Sequence, residues 1–180
     1  KVYYPGVFIS IFWAISIHTV TAFLFIANPA RPFWHTALLG PRFIASAFTA
    51  GPAFMVLAFR IIGRTTDFPV DAKVDKLLAM IVAIALQINL FMVGAELFTE
   101  FYAPTDHSAS AQFLFFGLHG ATRIVPWIWT ALGLEIIALV ILMVHKLRNH
   151  STLILVACAL AIVGIWIEKG MGLVVPGFTP

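Results

Sequence analysis

Five long apolar runs separated by short polar stretches set the rhythm of this chain. They are "VFISIFWAISIHTVTAFLFI" (7–26), "FIASAFTAGPAFMVLAFRII" (43–62), "LLAMIVAIALQINLFMVGAELF" (77–98), "IVPWIWTALGLEIIALVILMV" (124–144) and "TLILVACALAIVGIWIEKGMGLVV" (152–175). Runs of about twenty residues, at about 1.5 Å each, match a hydrocarbon layer about 30 Å thick. Backbone N–H and C=O groups in lipid must be paired within the segment, so these runs predict helices and not strands. The third is expected to extend through Tyr102, and Gly51-Pro52 to bend the second. Pro126 suits the first turn of the fourth helix, and Ser151 is the expected N-cap of the fifth. The fold class is therefore all-α: a polytopic transmembrane bundle of about five spans, one domain over residues 1–180, with no internal repeat or low-complexity tract.

Composition sharpens this picture. The chain is 61% hydrophobic and only 11% charged, with a mean hydropathy of +0.99, whereas soluble domains are about a quarter charged. The first residue is Lys1 and no signal-peptide pattern precedes the first run, so either a leader is removed or, the expectation taken here, the chain is a portion of something longer. The single cysteine, Cys158, lies in an apolar run. With no CxxC or Cys/His cluster, no zinc or iron–sulfur site is expected on this chain.

Charge orients the bundle. One end collects Lys1, Arg60, Arg64, Lys73, Lys76, Lys146 and Arg148; the other collects Arg31, Arg42, Arg123 and Lys169, seven against four of the eleven cations. By the positive-inside rule the richer end is expected to face the cytoplasm, Asp67, Asp71 and Asp75 in its loop counting little. The other end is called outer below. It holds His35, Glu96, Glu100, Asp106, His107 and His119, and most of the interfacial aromatics, in "RPFWHTALLGPRF", "FYAP" and "PWIW". The pI near 9.3 reflects basic loops, which point to anionic lipid and topology control, not to nucleic acid.

Polar side chains at membrane depth carry the candidate chemistry, because a central Asp, Lys or Arg costs roughly 2.5–3.5 kcal/mol on insertion scales. His18 falls near the middle of the first run, Gln87 and Asn89 of the third, and Glu135 of the fourth. Asn89, Val93, Glu96 and Glu100 recur at i, i+4, i+7 and i+11, one helical face reaching from mid-membrane to the outer surface. Each has a structural alternative: Gln87, Asn89 and His18 as interhelical hydrogen-bond partners, Glu96 and Glu100 as a snorkelling helix end, Glu168-Lys169 as an interface ion pair, and Glu135 as a residue facing other parts of the protein. His18 is the one central histidine, so bis-histidine haem is not expected. No P-loop, GxGxxG, G-x-S-x-G or HExxH occurs.

"SIHTVTAFLF", "RPFWHTALLGPRFIASAFTAGPAF", "GAELFTEFY" and "WIEKGMGLVVPGFTP", in this order, resemble the NrfD-like, polysulfide-reductase-type family of membrane subunits. Within it the resemblance is to the DsrP-type subunits of the sulfite-reduction-associated DsrMKJOP redox complex. It runs over essentially the whole chain. Family members are about twice as long, so this chain resembles their C-terminal half. The resemblance implies a subunit of a quinone-linked oxidoreductase complex of the prokaryotic cytoplasmic membrane. Such a subunit works with menaquinone and exchanges electrons with a ferredoxin-like iron–sulfur subunit on the outer face, beside other membrane and cytochrome subunits. It places most of the quinone pocket in the N-terminal helices of the family. The related alternative complex III subunit has an aspartate where this chain has Leu24, which shifts expected proton handling to Glu96, Glu100 or Glu135.

The expected assignments follow. His18, Asn89, Glu96, Glu100 and Glu135 are candidates for a quinone or proton path, with no residue of the chain assigned a catalytic role and no metal ligand. Arg31, His35, Arg42, Arg123, Glu168 and Lys169 are candidates for partner docking or for neutralising the glutamates. The rival readings are a non-catalytic membrane anchor and a proton- or ion-translocating subunit of the same kind of complex.

Overall fold

The computed structural model describes residues 3–28, 30–66, 71–102 and 108–178. Five helices there are long and apolar enough to cross a membrane: α1 (Tyr3–Ile26), α2 (Leu39–Thr65), α3 (Ala72–Tyr102), α5 (Val125–Met143) and α7 (Ser151–Lys169). Two short helices, α4 (Ser108–Phe115) and α6 (His145–Arg148), lie between spans. Among the described residues there is no β-strand, only an isolated bridge between Leu118 and Ala121.

The spans are where the apolar runs put them; α1, α2 and α3 extend beyond their runs, and α5 is one residue shorter than its run at each end. α2 starts at Leu39, not at 43, which brings Arg42 into its first turn, and α3 starts at Ala72 and does reach Tyr102. Pro126 occupies the first turn of α5, where its missing N–H has no helical partner to lose. α2 continues as one helix through Pro52. Two expectations need correction. Ser151 is the first residue of α7, not its cap; His150 precedes it and makes no capping bond with its side chain. The fifth run is also not one α-helix. It turns π-helical over Gly170–Val174 and ends in a 3-10 turn at Pro176–Phe178. Asp67, Asp106 and His107 lie outside the described residues.

Packing is most extensive between α5 and α7 and between α2 and α3, with α2 on α7 joining the two pairs. Lipid tails are as apolar as leucine, so helices associate in a membrane through close packing at small residues. The core accordingly mixes Ala53, Ala79, Ala83, Ala138, Ala157 and Ala161 with Val56, Val82, Leu86 and Leu142. At Gly164 α7 comes close against α5: a Cβ there would stand 2.7 Å from Glu135 Cγ and 3.2 Å from the Ala131 carbonyl oxygen. α1 packs chiefly on α2 and leaves most of its large apolar side chains, Phe8, Phe12, Trp13 and Phe23 among them, exposed.

Both ends are fastened. At the outer end Trp34 Nε1 donates to the Leu173 carbonyl at 3.0 Å, and the Trp34 ring meets Phe25 and Phe178 edge-on. α4 is held by Ser108 Oγ donating to the Glu100 carbonyl at 2.7 Å and by Trp129 Nε1 donating to the Phe115 carbonyl at 3.1 Å. At the inner end Arg60 on α2 pairs with Asp75 on α3 at 2.9 Å.

Gly164→Ala forces α5 and α7 apart or moves Glu135, and is expected to lower stability by about 1–3 kcal/mol. Gly133→Ala, with nothing within 4 Å of the added carbon, is expected to be neutral or slightly stabilising. Thermal unfolding of the two variants in detergent checks the contrast.

Candidate functional site

One register recurs on four helices. Arg42, Ser46, Thr49 and Ala53 on α2 are spaced i, i+4, i+7 and i+11. So are Asn89, Val93, Glu96 and Glu100 on α3, Ala131, Glu135, Ala138 and Leu142 on α5, and Ala157, Ala161, Gly164 and Glu168 on α7. Each set is one helical face, and these faces turn inward: apart from Glu96 and Glu100, which are partly buried, every member is buried. Polar members are thereby delivered to a common interior.

Arg42 is the hub. Its Nη1 pairs with Glu96 Oε2, and its Nη2 donates to Glu168 Oε1 at 2.5 Å. The same Oε1 receives Lys169 Nζ at 2.9 Å. Glu168 Oε2 accepts from Asn89 Nδ2 at 2.8 Å, and that nitrogen lies 3.4 Å from Glu135 Oε2. Glu168 is 1% exposed and Asn89 and Glu135 are 0% exposed, so these groups interact where water screens them little. Among the described residues the cluster holds three carboxyls, Glu96, Glu135 and Glu168, against two cations, Arg42 and Lys169. One proton on a carboxyl makes it electroneutral, and a buried cluster strongly favours neutrality.

Beyond Glu96 a cavity of about 20 Å³ is lined by Arg42, Glu96, Glu100 and Glu168. That is room for about one water. Glu100 lies beyond the ion pairs, with its buried Oε2 lacking a protein partner among the described residues. From Asn89 to Glu100 the helix rises about 16 Å at about 1.5 Å per residue. The π-helical turn after Lys169 closes over this region. Gly172 there passes Ile128 so closely that a Cβ would stand 2.9 Å from its Cδ1.

The structure thus brings together Asn89, Glu96, Glu135, Arg42, Glu168 and Lys169, with Glu100 at the rim. It does not bring His18 to them. His18 lies in a separate, almost wholly apolar groove of about 370 Å³ between α1 and α2, lined also by Ile15, Ile44, Phe48 and Met55. Its Nδ1 is 2.8 Å from the Ala14 carbonyl, which can only accept, so Nδ1 carries the hydrogen and Nε2 has no hydrogen-bond partner among the described residues. Arg31 stacks over Phe178 at 5.2 Å. His35, Arg123 and His119 are exposed at the outer end. Gln87, two residues from Asn89, points elsewhere, its Nε2 2.8 Å from Met143 Sδ. Glu168 is the residue whose weight is least evident from sequence. Its spacing from Ala157, Ala161 and Gly164 is the signal that could have found it.

The chain is similar in sequence to known proteins. The model of the family described as polysulphide reductase, NrfD, matches residues 2–178. A protein of Halobacterium salinarum named as a putative membrane subunit of dimethyl sulfoxide reductase is 27% identical over 176 residues, covering 92% of this chain and 37% of that protein. An Hdr-like menaquinol oxidoreductase integral membrane subunit of Archaeoglobus fulgidus is 25% identical over 134 residues, covering 74% of this chain and 34% of that protein. The chain therefore spans about a third of the length of these two relatives.

Replacing Arg42 by Gln leaves Glu96 and Glu168 buried without their shared cation, which typically costs about 3–5 kcal/mol. Arg42→Gln is expected to depress the unfolding temperature sharply, and adding Glu96→Gln and Glu168→Gln to recover much of it. Equal melting of Arg42→Gln and wild type would remove the hub.

Proposed function

The chain belongs to the polysulphide reductase, NrfD family of integral membrane subunits, and from that premise we propose that it works in a respiratory redox complex that turns over menaquinone or menaquinol. The protein is a multi-pass protein of a prokaryotic membrane. Electrons would pass between the quinone and an iron–sulfur subunit docked at the outer face, beside other membrane and cytochrome subunits, in a complex linked to sulfur metabolism. Support for the quinone comes from the relative whose name includes menaquinol. The observation that carries the role of this chain is the buried cluster with one more carboxyl than cation.

A quinol supplies two electrons and two protons per oxidation, and the protons must leave by groups of the protein. Glu135 and Asn89 hold the mid-membrane end of such a route, and Glu168 and Arg42 link it to Glu96. Glu96 and Glu100 face the one-water cavity toward the outer side. That cavity is too small for a quinone head. The groove beside His18 is of ligand size, with apolar walls and an Nε2 that, with the hydrogen on Nδ1, can accept from a quinol hydroxyl. His18 is assigned there to quinone contact, and the cluster to proton exchange.

Transmembrane ion translocation is less well supported. Between Glu135 and the Arg60–Asp75 pair the interior is filled by Val82, Leu86, Leu142, Ala157 and Cys158, an apolar layer that a proton route would have to cross. A pure anchor remains the main competitor.

Glu96→Gln separates the two. It is expected to slow quinol-linked turnover per assembled complex by about tenfold or more, the scale of a lost proton-transfer group, while assembly survives. Reduced complex yield with unchanged turnover per complex makes the subunit an anchor. In a quinone-analogue fluorescence titration of the intact complex, His18→Ala is expected to weaken binding and Glu96→Gln to leave it unchanged.

A further inference from the structure

The inner end carries a cleft of about 680 Å³ that the redox reading does not use, formed where α2, α3 and α7 meet. Its walls include Phe59, Arg60, Arg64, Asp75, Lys76 and Ser151. Arg60 is matched by Asp75 at 2.9 Å. Arg64 and Lys76 are exposed and in no ion pair among the described residues, so the cleft keeps a net positive charge. Ser151 opens α7, whose first turn carries no acidic residue and receives no capping bond from the His150 side chain. The positive end of that helix, which Ser151 brings to the cleft wall, adds to the same field. Phe59 and Ile154 supply an apolar floor.

From this arrangement we propose that the cleft binds the phosphate of an anionic phospholipid, held by Arg64, Lys76 and the N-terminus of α7. A lipid is favoured over a soluble anion by location. The cleft sits at the membrane-interface end of three spanning helices, beside exposed Ile61, Ile62 and Leu77, which suit acyl chains. Two basic side chains near the surface of an anionic leaflet give a preference for charged over zwitterionic headgroups.

Native mass spectrometry of the intact purified complex tests it, with phosphatidylglycerol or phosphatidylcholine of the same chains added and inorganic phosphate as competitor. The expected result is preferential retention of phosphatidylglycerol. Arg64→Gln with Lys76→Gln should weaken it on the order of tenfold to thirtyfold, while Lys146→Gln, outside the cleft, leaves it unchanged. Equal retention of the two lipids, an undiminished affinity in the double variant, or an equal loss with Lys146→Gln would overturn the assignment. Displacement by millimolar inorganic phosphate would overturn the lipid and hand the site to a soluble phosphate.

Discussion

The Arg42 guanidinium, buried in the first turn of α2 and shared between Glu96 on α3 and Glu168 on α7, is the interaction on which the outer half of the bundle depends. A guanidinium away from water is costly unless its donors are met, and its planar fork can meet two carboxylates at once. Here they come from two different helices. Three spans are therefore locked in rotation and in depth by one side chain. Apolar packing alone would not fix this, since alanine faces slide past one another at little cost. The net stabilisation of such a group can be near zero against an apolar replacement. What it supplies here is register, together with charge at a depth where charge is rare.

Small residues make the arrangement possible. The inward face of α7 presents Ala157, Ala161 and Gly164 before it presents Glu168. α5 can thus approach until Glu135 lies against Gly164. The close approach sets the carboxyl of Glu135 within reach of the Asn89 amide, which also serves Glu168. One amide nitrogen then joins the mid-membrane acid to the ion-paired one. Between Glu135 and the Arg60–Asp75 pair the interior carries Val82, Leu86, Leu142, Cys158 and alanines, so the larger polar cluster sits in the outer half, separated by an apolar layer from the single ion pair described at the inner end.

Much of this is legible in the chain and some is not. The spans follow directly from apolar run length, because lipid leaves the backbone no alternative to helix. The stripe from Asn89 to Glu100 follows from helical spacing alone. Glu168 is harder, since its neighbour Lys169 offers a local partner and a short ion pair at a helix end reads as interfacial. Arg42 reads as a residue of the outer surface while α2 is expected to start only after it, at 43; the actual start at Leu39 turns it inward. His18 shows the opposite limit. Depth along a helix can be counted, but the direction a helix turns relative to its neighbours cannot, and α1 points His18 at a groove on α2 and away from the acids. The short helices α4 and α6 lie in stretches without a sustained apolar period, so only contacts such as Ser108 to the Glu100 carbonyl specify them.

Lock and proton chemistry meet at the odd carboxyl. A structural lock needs charges that cancel, and three carboxyls against two cations cancel only with a proton among them. Under the proposed function, that proton would let the lock respond when quinone chemistry changes the charge nearby. Redox-triggered infrared difference spectroscopy on the intact complex reads this directly. The predicted result is a carboxyl C=O band that appears or disappears on quinone reduction and is abolished in Glu135→Gln. A redox difference spectrum with no carboxyl band, or with one that Glu135→Gln and Glu168→Gln both leave intact, would contradict it and leave the cluster a purely structural clasp.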